Sequence, residues 1–100
     1  MAQRVKVETA ADLPDFLTEG EDGSLTVALS RGLVLDGAKV MALVLREPNV
    51  ADQLAAGGGT DAQNEVKLFA NLAGLLPADI HALKMRDYAR LQAALGFFYN

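Results

Sequence analysis

From Leu25 to Leu29 the chain alternates as a strand does, the stretch from there to Arg46 stays strand-like, and after Pro48 the apolar positions recur at helical spacing. Leu25, Val27 and Leu29 share one face of a predicted strand, and Ser30-Arg31-Gly32 predicts a turn at its end. Leu33-Val34-Leu35 then leads into Asp36-Gly37, a dipeptide whose tolerance of positive φ suits a type I′ hairpin turn. The partner strand is expected from Lys39 to Arg46. Its Lys39, Met41, Leu43 and Leu45 face is expected to meet the helices, with Lys39 at the rim. Val40, Ala42 and Val44 form an opposite face more apolar than a solvated sheet surface, which suggests contact with a second subunit or with the N-terminal arm. Pro48 cannot donate to a sheet ladder and stops the strand.

Helices are predicted from Asn49 onward. Asn49 is a natural N-cap, so Val50 to Ala56 reads as a short helix burying Val50 and Leu54, ended by Gly57-Gly58-Gly59. Thr60-Asp61-Ala62-Gln63 matches a capping box for a helix running to about Ala73, with Val66, Phe69, Ala70 and Ala73 on one stripe. Leu68, Leu72 and Leu75 adjoin that stripe, and Gly74 suits the left-handed position after the helix. Pro77 opens a further short helix with Asp79 near its positive end and Ile80 and Leu83 inward. A last helix spans about Met85 to Phe98, where Tyr88, Leu91, Leu95 and Phe98 make one apolar stripe.

The expected fold is therefore α+β: a small antiparallel meander or hairpin followed by three to four short helices packed on one sheet face. Strands occupy residues 25–47 and helices residues 49–98 of a single domain spanning residues 25–100. Its 100 residues, 51% of them hydrophobic and 22% charged, suit one soluble globular unit and argue against disorder throughout. The net charge of −4 resides wholly in residues 1–24, which hold six acids (Glu8, Asp12, Asp15, Glu19, Glu21, Asp22) against Arg4 and Lys6. That stretch reads as an acidic, flexible N-terminal arm, or a peripheral strand at most, with Val5-Lys6-Val7 as its only strand-like phrase and at most one helical turn around Pro14. The remaining residues balance seven acids with seven bases. An acidic arm on a neutral body repels phosphate backbones, so no nucleic-acid partner is expected, while a neutral body does little to oppose self-association.

Candidate chemistry is sparse. With no cysteine there is neither disulfide nor thiolate chemistry. Met1-Ala2-Gln3-Arg4-Val5-Lys6 is not followed by an apolar core, and no apolar run approaches a bilayer span, so neither a signal peptide nor a membrane partner is expected. Gly57-Gly58-Gly59 lacks the Lys and Ser/Thr of a phosphate loop and reads as a linker. His81 is the only histidine and has no relay partner near it in sequence, so no catalytic residue, metal site or cofactor is expected. The closing Phe97-Phe98-Tyr99-Asn100 holds half of the six aromatics, which either dock into the core or meet a partner.

Leu43-Val44-Leu45-Arg46-Glu47-Pro48-Asn49-Val50-Ala51-Asp52, then Leu72-Ala73-Gly74-Leu75, Pro77-Ala78-Asp79-Ile80, Leu83 and Asp87-Tyr88-Ala89-Arg90-Leu91-Gln92 resemble, in this order, the tail assembly chaperones of Mu-like bacteriophages and prophages. The likeness covers about residues 25–98. It implies a non-enzymatic assembly factor, without cofactor, that acts in the cytoplasm of the bacterial host and is left out of the finished virion. Its implied partners are the helical tape-measure protein and the tail tube protein, with self-association as a further expectation. A helix-in-groove mode would place client or self-association contacts at Tyr88, Leu91, Leu95, Phe97 and Phe98. The family also tends to make a longer product by ribosomal frameshifting, and Gly96-Phe97-Phe98 can be encoded by a slippery run of uridines. The competing readings are a minor structural or connector protein of the tail and, behind it, a small DNA-binding regulator.

Overall fold

Asp36 and Gly37 make the turn their chemistry favours, with φ of 51° and 82°, and the chain on either side of them pairs as an antiparallel hairpin. In the computed structural model, which describes residues 13–99, the strands are β1 (Leu17–Glu19), β2 (Leu25–Leu35) and β3 (Ala38–Leu45), ordered β1-β2-β3 in one sheet. Four helices follow: α1 (Val50–Ala55), α2 (Asp61–Ala73), α3 (Pro77–His81) and α4 (Met85–Phe98). The arrangement is the α+β fold read from the sequence.

Residues 13–24, which the charge split groups with the arm, supply β1. Leu17 lies opposite Val27 and is buried, and Leu13 and Phe16 pack against the core. The strand-like phrase Val5-Lys6-Val7 lies outside the described residues.

Ser30-Arg31-Gly32 does not end a strand. Ala28 pairs with Ala42 and Leu33 with Val40, so Leu29 to Gly32 bulge out against Met41 alone while β2 continues to Leu35. The turn reading fails because the amides freed by the bulge are taken by a carboxylate from α4, a partner more than fifty residues away. The bulge also changes which side chains of β3 are buried: Leu43 and Leu45 are inward, whereas Met41 is 48% exposed, Lys39 is exposed and Val40 is half-buried. The single Lys/Met/Leu face expected from strict alternation therefore stops at Leu43. Ala42 and Val44 lie exposed on the outer face of the sheet.

Asn49 caps α1 in a reciprocal box with Asp52. Val50 and Leu54, expected to be buried, are 75% and 77% exposed. The cause is helical geometry: Asp52 stands two residues from each, about 200° around the helix. The Arg46 guanidinium grips Asp52 through two bonds of 2.7 and 2.9 Å, which turns the Asp52 side toward the body and the Val50/Leu54 side outward. Ala56, one turn beyond Asp52 on the same side, is buried.

Thr60 and Gln63 form the predicted capping box of α2, and Gly74 closes that helix at φ 69°. Leu68, Phe69, Ala70 and Leu72 are its buried residues. Arg46 N–H donates to the Leu72 carbonyl at 3.0 Å and so ties the end of β3 to the last turn of α2. In and after α3, Ile80 and Leu83 are buried as expected. The buried positions of α4 are Asp87, Leu91 and Ala94, spaced four and three residues apart on one face. The expected stripe through Tyr88, Leu91, Leu95 and Phe98 adjoins it and, apart from Leu91, is half-buried. Val27, Leu45, Phe69 and Leu91, all fully enclosed, mark where the sheet, α2 and α4 meet.

Candidate functional site

The Asp87-Tyr88-Ala89-Arg90-Leu91-Gln92 phrase concentrates the polar contacts of the domain. Asp87 sits in the first turn of α4 and is fully buried. One of its carboxylate oxygens accepts from the Ser30 amide at 2.7 Å and the Ser30 hydroxyl at 2.8 Å. The other accepts from the amides of Arg31 at 2.9 Å and Gly32 at 3.3 Å. Three successive backbone N–H groups thus form a concave anion seat, filled from within the chain. Burial pushes the Asp87 carboxyl up, but the bonds from Ser30, Arg31 and Gly32 together outweigh it and hold it below the ordinary 3.8. Gly32 is the residue the seat requires, because its φ of 84° lies in a region that L side chains rarely adopt.

Its neighbours staple α4 elsewhere. Tyr88 donates to Glu65 at 2.5 Å, and its ring meets Phe69 edge-on with centroids 5.5 Å apart. Burial first and the Glu65 carboxylate second push the Tyr88 hydroxyl well above the usual phenol range. Gln92 donates to the same Glu65 oxygen at 2.9 Å. Arg90 donates to the Ala28 carbonyl at 2.7 Å and lies 4.9 Å from the centroid of the Phe16 ring, so one guanidinium holds both β2 and the segment before β1.

The five positions read as partner contacts are thus differently placed. Leu91 is fully enclosed in the core, and Tyr88 is half-buried with its hydroxyl engaged. Leu95, Phe97 and Phe98 are half-buried and pack against the core. Tyr99, next in the chain, is 64% exposed.

A different apolar surface lies where α1 approaches the end of α4. Pro48, Asn49, Val50, Gln53, Leu68 and Tyr99 line a shallow depression of about 180 Å³. Leu54 extends this surface one helical turn beyond Val50. The patch is almost free of charge, since Asp52, the one acid of α1, is paired with Arg46. That pairing, together with the Asn49 amide, lowers the Asp52 carboxyl to about 2. The pair is therefore intact above the ordinary carboxylate value of 3.8 and breaks as the pH falls toward 2. The spacing of Val50 and Leu54 was the signal in the sequence, but it reads equally as a core stripe.

Among the described residues no group of three or more His, Cys, Asp or Glu side chains is placed to hold a metal ion. His81 ends α3 on the surface. No helix among them is long and apolar enough to cross a membrane.

Residues 26–100 match the family described as phage tail assembly chaperone proteins, E, or 41 or 14. The chain belongs to this family. No curated protein and no solved structure matches it. The matched span runs from β2 through α4, and so includes the bulge, its Asp87 clamp and the α1 surface of this tail assembly chaperone. Within it, the phrase from Asp87 to Gln92 fastens α4 to the sheet and to α2. The large apolar groups of α1 stay on the surface.

Proposed function

We propose that this chain is a non-catalytic assembly factor that binds the tape-measure protein, keeps it soluble and promotes growth of the tail tube around it. The observation that carries this reading is an uncharged apolar surface, Val50, Leu54 and Tyr99, on a chain of the tail assembly chaperone family. A short depression flanked by a helix suits an amphipathic client helix with apolar anchors one turn apart. Leu95, Phe97 and Phe98, half-buried in the last turns of α4, extend the proposed contact, while Tyr88 and Leu91 hold α4 to the body. The factor acts in the host cytoplasm and leaves before the virion is complete.

Co-expression with the tape-measure protein tests the reading. The wild-type chain is expected to raise the soluble fraction of that protein and to be pulled down with it. Val50→Asp combined with Leu54→Asp is expected to abolish both effects with a melting temperature close to wild type, because both side chains are already in water. No gain in solubility with the wild-type chain, and no complex, would overturn the proposal.

We also propose that a frameshifted, longer product is made at Gly96-Phe97-Phe98. Gly96 lies inside α4, is exposed, and has open space where a Cβ would stand, so the fold gives no reason for glycine there. Gly96→Ala is expected to stabilise the domain by about 0.5–1 kcal/mol in a denaturant titration. A synonymous change of the Phe97 codon that breaks the run of uridines, and leaves the protein unaltered, is expected to lower the yield of the longer product; an unaltered yield counts against the frameshift.

A further inference from the structure

We infer that α1 is a hinged flap, latched by Arg46 and Asp52, that opens and closes over the Leu68–Tyr99 depression independently of the rest of the domain. The helix has no buried residue of its own, and its attachment to the core is the Ala56 side chain just past its end. Apolar burial, the force that fixes the other elements, is thus nearly absent here. What orients α1 is polar and lies at the surface. Arg46 holds Asp52 through both guanidinium nitrogens. Lys67 reaches the Gly57 carbonyl at 3.4 Å, and Asn64 accepts from the Gly59 amide at 2.9 Å.

Both connections of the flap suit a pivot. On one side Pro48 separates it from β3. On the other, Gly57-Gly58-Gly59 joins it to α2, with Gly58 at φ 98° and open space around it. Three consecutive glycines impose the least restriction a chain can offer on the φ and ψ changes of a swinging helix. The depression under the flap, lined by Val50 and Gln53 from α1 and by Leu68 and Tyr99 from the body, is the space the swing would close or widen. Opening leaves α2 and the sheet untouched, because the residues that join them (Leu45, Phe69, Leu72 and the bond from Arg46 N–H to the Leu72 carbonyl) lie outside the flap.

Thiol labelling of the full chain, without any partner, tests this directly, since the sequence has no cysteine of its own. Ala56→Cys places a thiol at the buried contact between the flap and the body, and Ala94→Cys places one in the core. The thiol of Ala56→Cys is expected to react at least about 100-fold faster than that of Ala94→Cys, the mark of a local opening. Adding Arg46→Gln is expected to speed labelling at position 56 a further ~10-fold with less than about a twofold change at position 94, and high salt is expected to act in the same direction at position 56. Labelling at position 56 as slow as at position 94 would overturn the hinge. No acceleration with Arg46→Gln, or an equal acceleration at both positions, would overturn the latch.

Discussion

Replacing Asp87 by alanine is expected to cost about 3–5 kcal/mol, a large part of the roughly 5–15 kcal/mol that holds a domain together. The substitution removes the single acceptor group of three backbone amides and a hydroxyl, and those donors have no other partner in the bulge. A melting temperature lower by about 15 °C or more is the corresponding thermal readout for a chain of this size. Asp87→Asn keeps the shape and one acceptor oxygen but turns an amide N–H₂ toward donors, so an intermediate loss of about 2 kcal/mol is expected. The pH dependence separates this clamp from mere cavity formation. Because the folded carboxyl titrates below its ordinary 3.8, its contribution is present in full above that value and is lost as the pH falls through the folded pKa. The gap between wild type and Asp87→Ala should therefore be constant near neutral pH and shrink below 3.8. A gap that stays open to pH ~2 would show that the carboxylate charge is not what the bulge needs.

Leu91→Asp is expected to abolish folding. Leu91 has no exposed surface and stands between Asp87 and Ala94 on the buried face of α4. An aspartate there forfeits the leucine's contacts and places a carboxylate among apolar groups with no donor to meet it. Together these exceed about 5 kcal/mol, at or beyond the stability of most small domains. Circular dichroism should show loss of the cooperative melt, and the chain should accumulate as insoluble material. A cooperative transition near that of wild type would remove Leu91 from the core and return it to the surface stripe. If the prediction holds, lost client binding in Leu91→Asp reports unfolding. The contact question then falls to Val50, Leu54 and Tyr99, which can be changed without disturbing the core.

Asp87 also shows what a sequence reading can and cannot reach. Signals confined to a few neighbours were legible: the positive-φ pair Asp36-Gly37, the Thr60/Gln63 box, the Gly74 stop and Pro77 at a helix start all act within one turn of the chain. Ser30-Arg31-Gly32 has turn-like composition, and only a carboxylate some fifty-five residues on decides that its amides stay inside a continuing strand. Asp87 was equally obscure, because an acid between Arg86 and Arg90 looks like an ordinary solvated charge. Val50 and Leu54 mislead in the opposite sense. Their spacing defines an apolar side but not whether anything lies opposite it, and the Arg46–Asp52 pair that turns them outward spans a strand end and a helix. The ordered phrases that carried the family likeness hold residues that bond to distant parts of the chain: Arg46 to Leu72, Asp87 to Ser30, Tyr88 and Gln92 to Glu65, and Arg90 to Ala28.

The clamp on the bulge has a consequence for the birth of the molecule. As the chain leaves the ribosome, β2 and β3 emerge long before Asp87, so the hairpin waits with the Ser30, Arg31 and Gly32 amides unclaimed until α4 is made. A structure whose early half is completed by its late half has costly long-range closure and no stable halfway form. Chains cut short before α4 would expose a malformed sheet to aggregation and degradation, so the domain accumulates only once synthesis has passed its last helix.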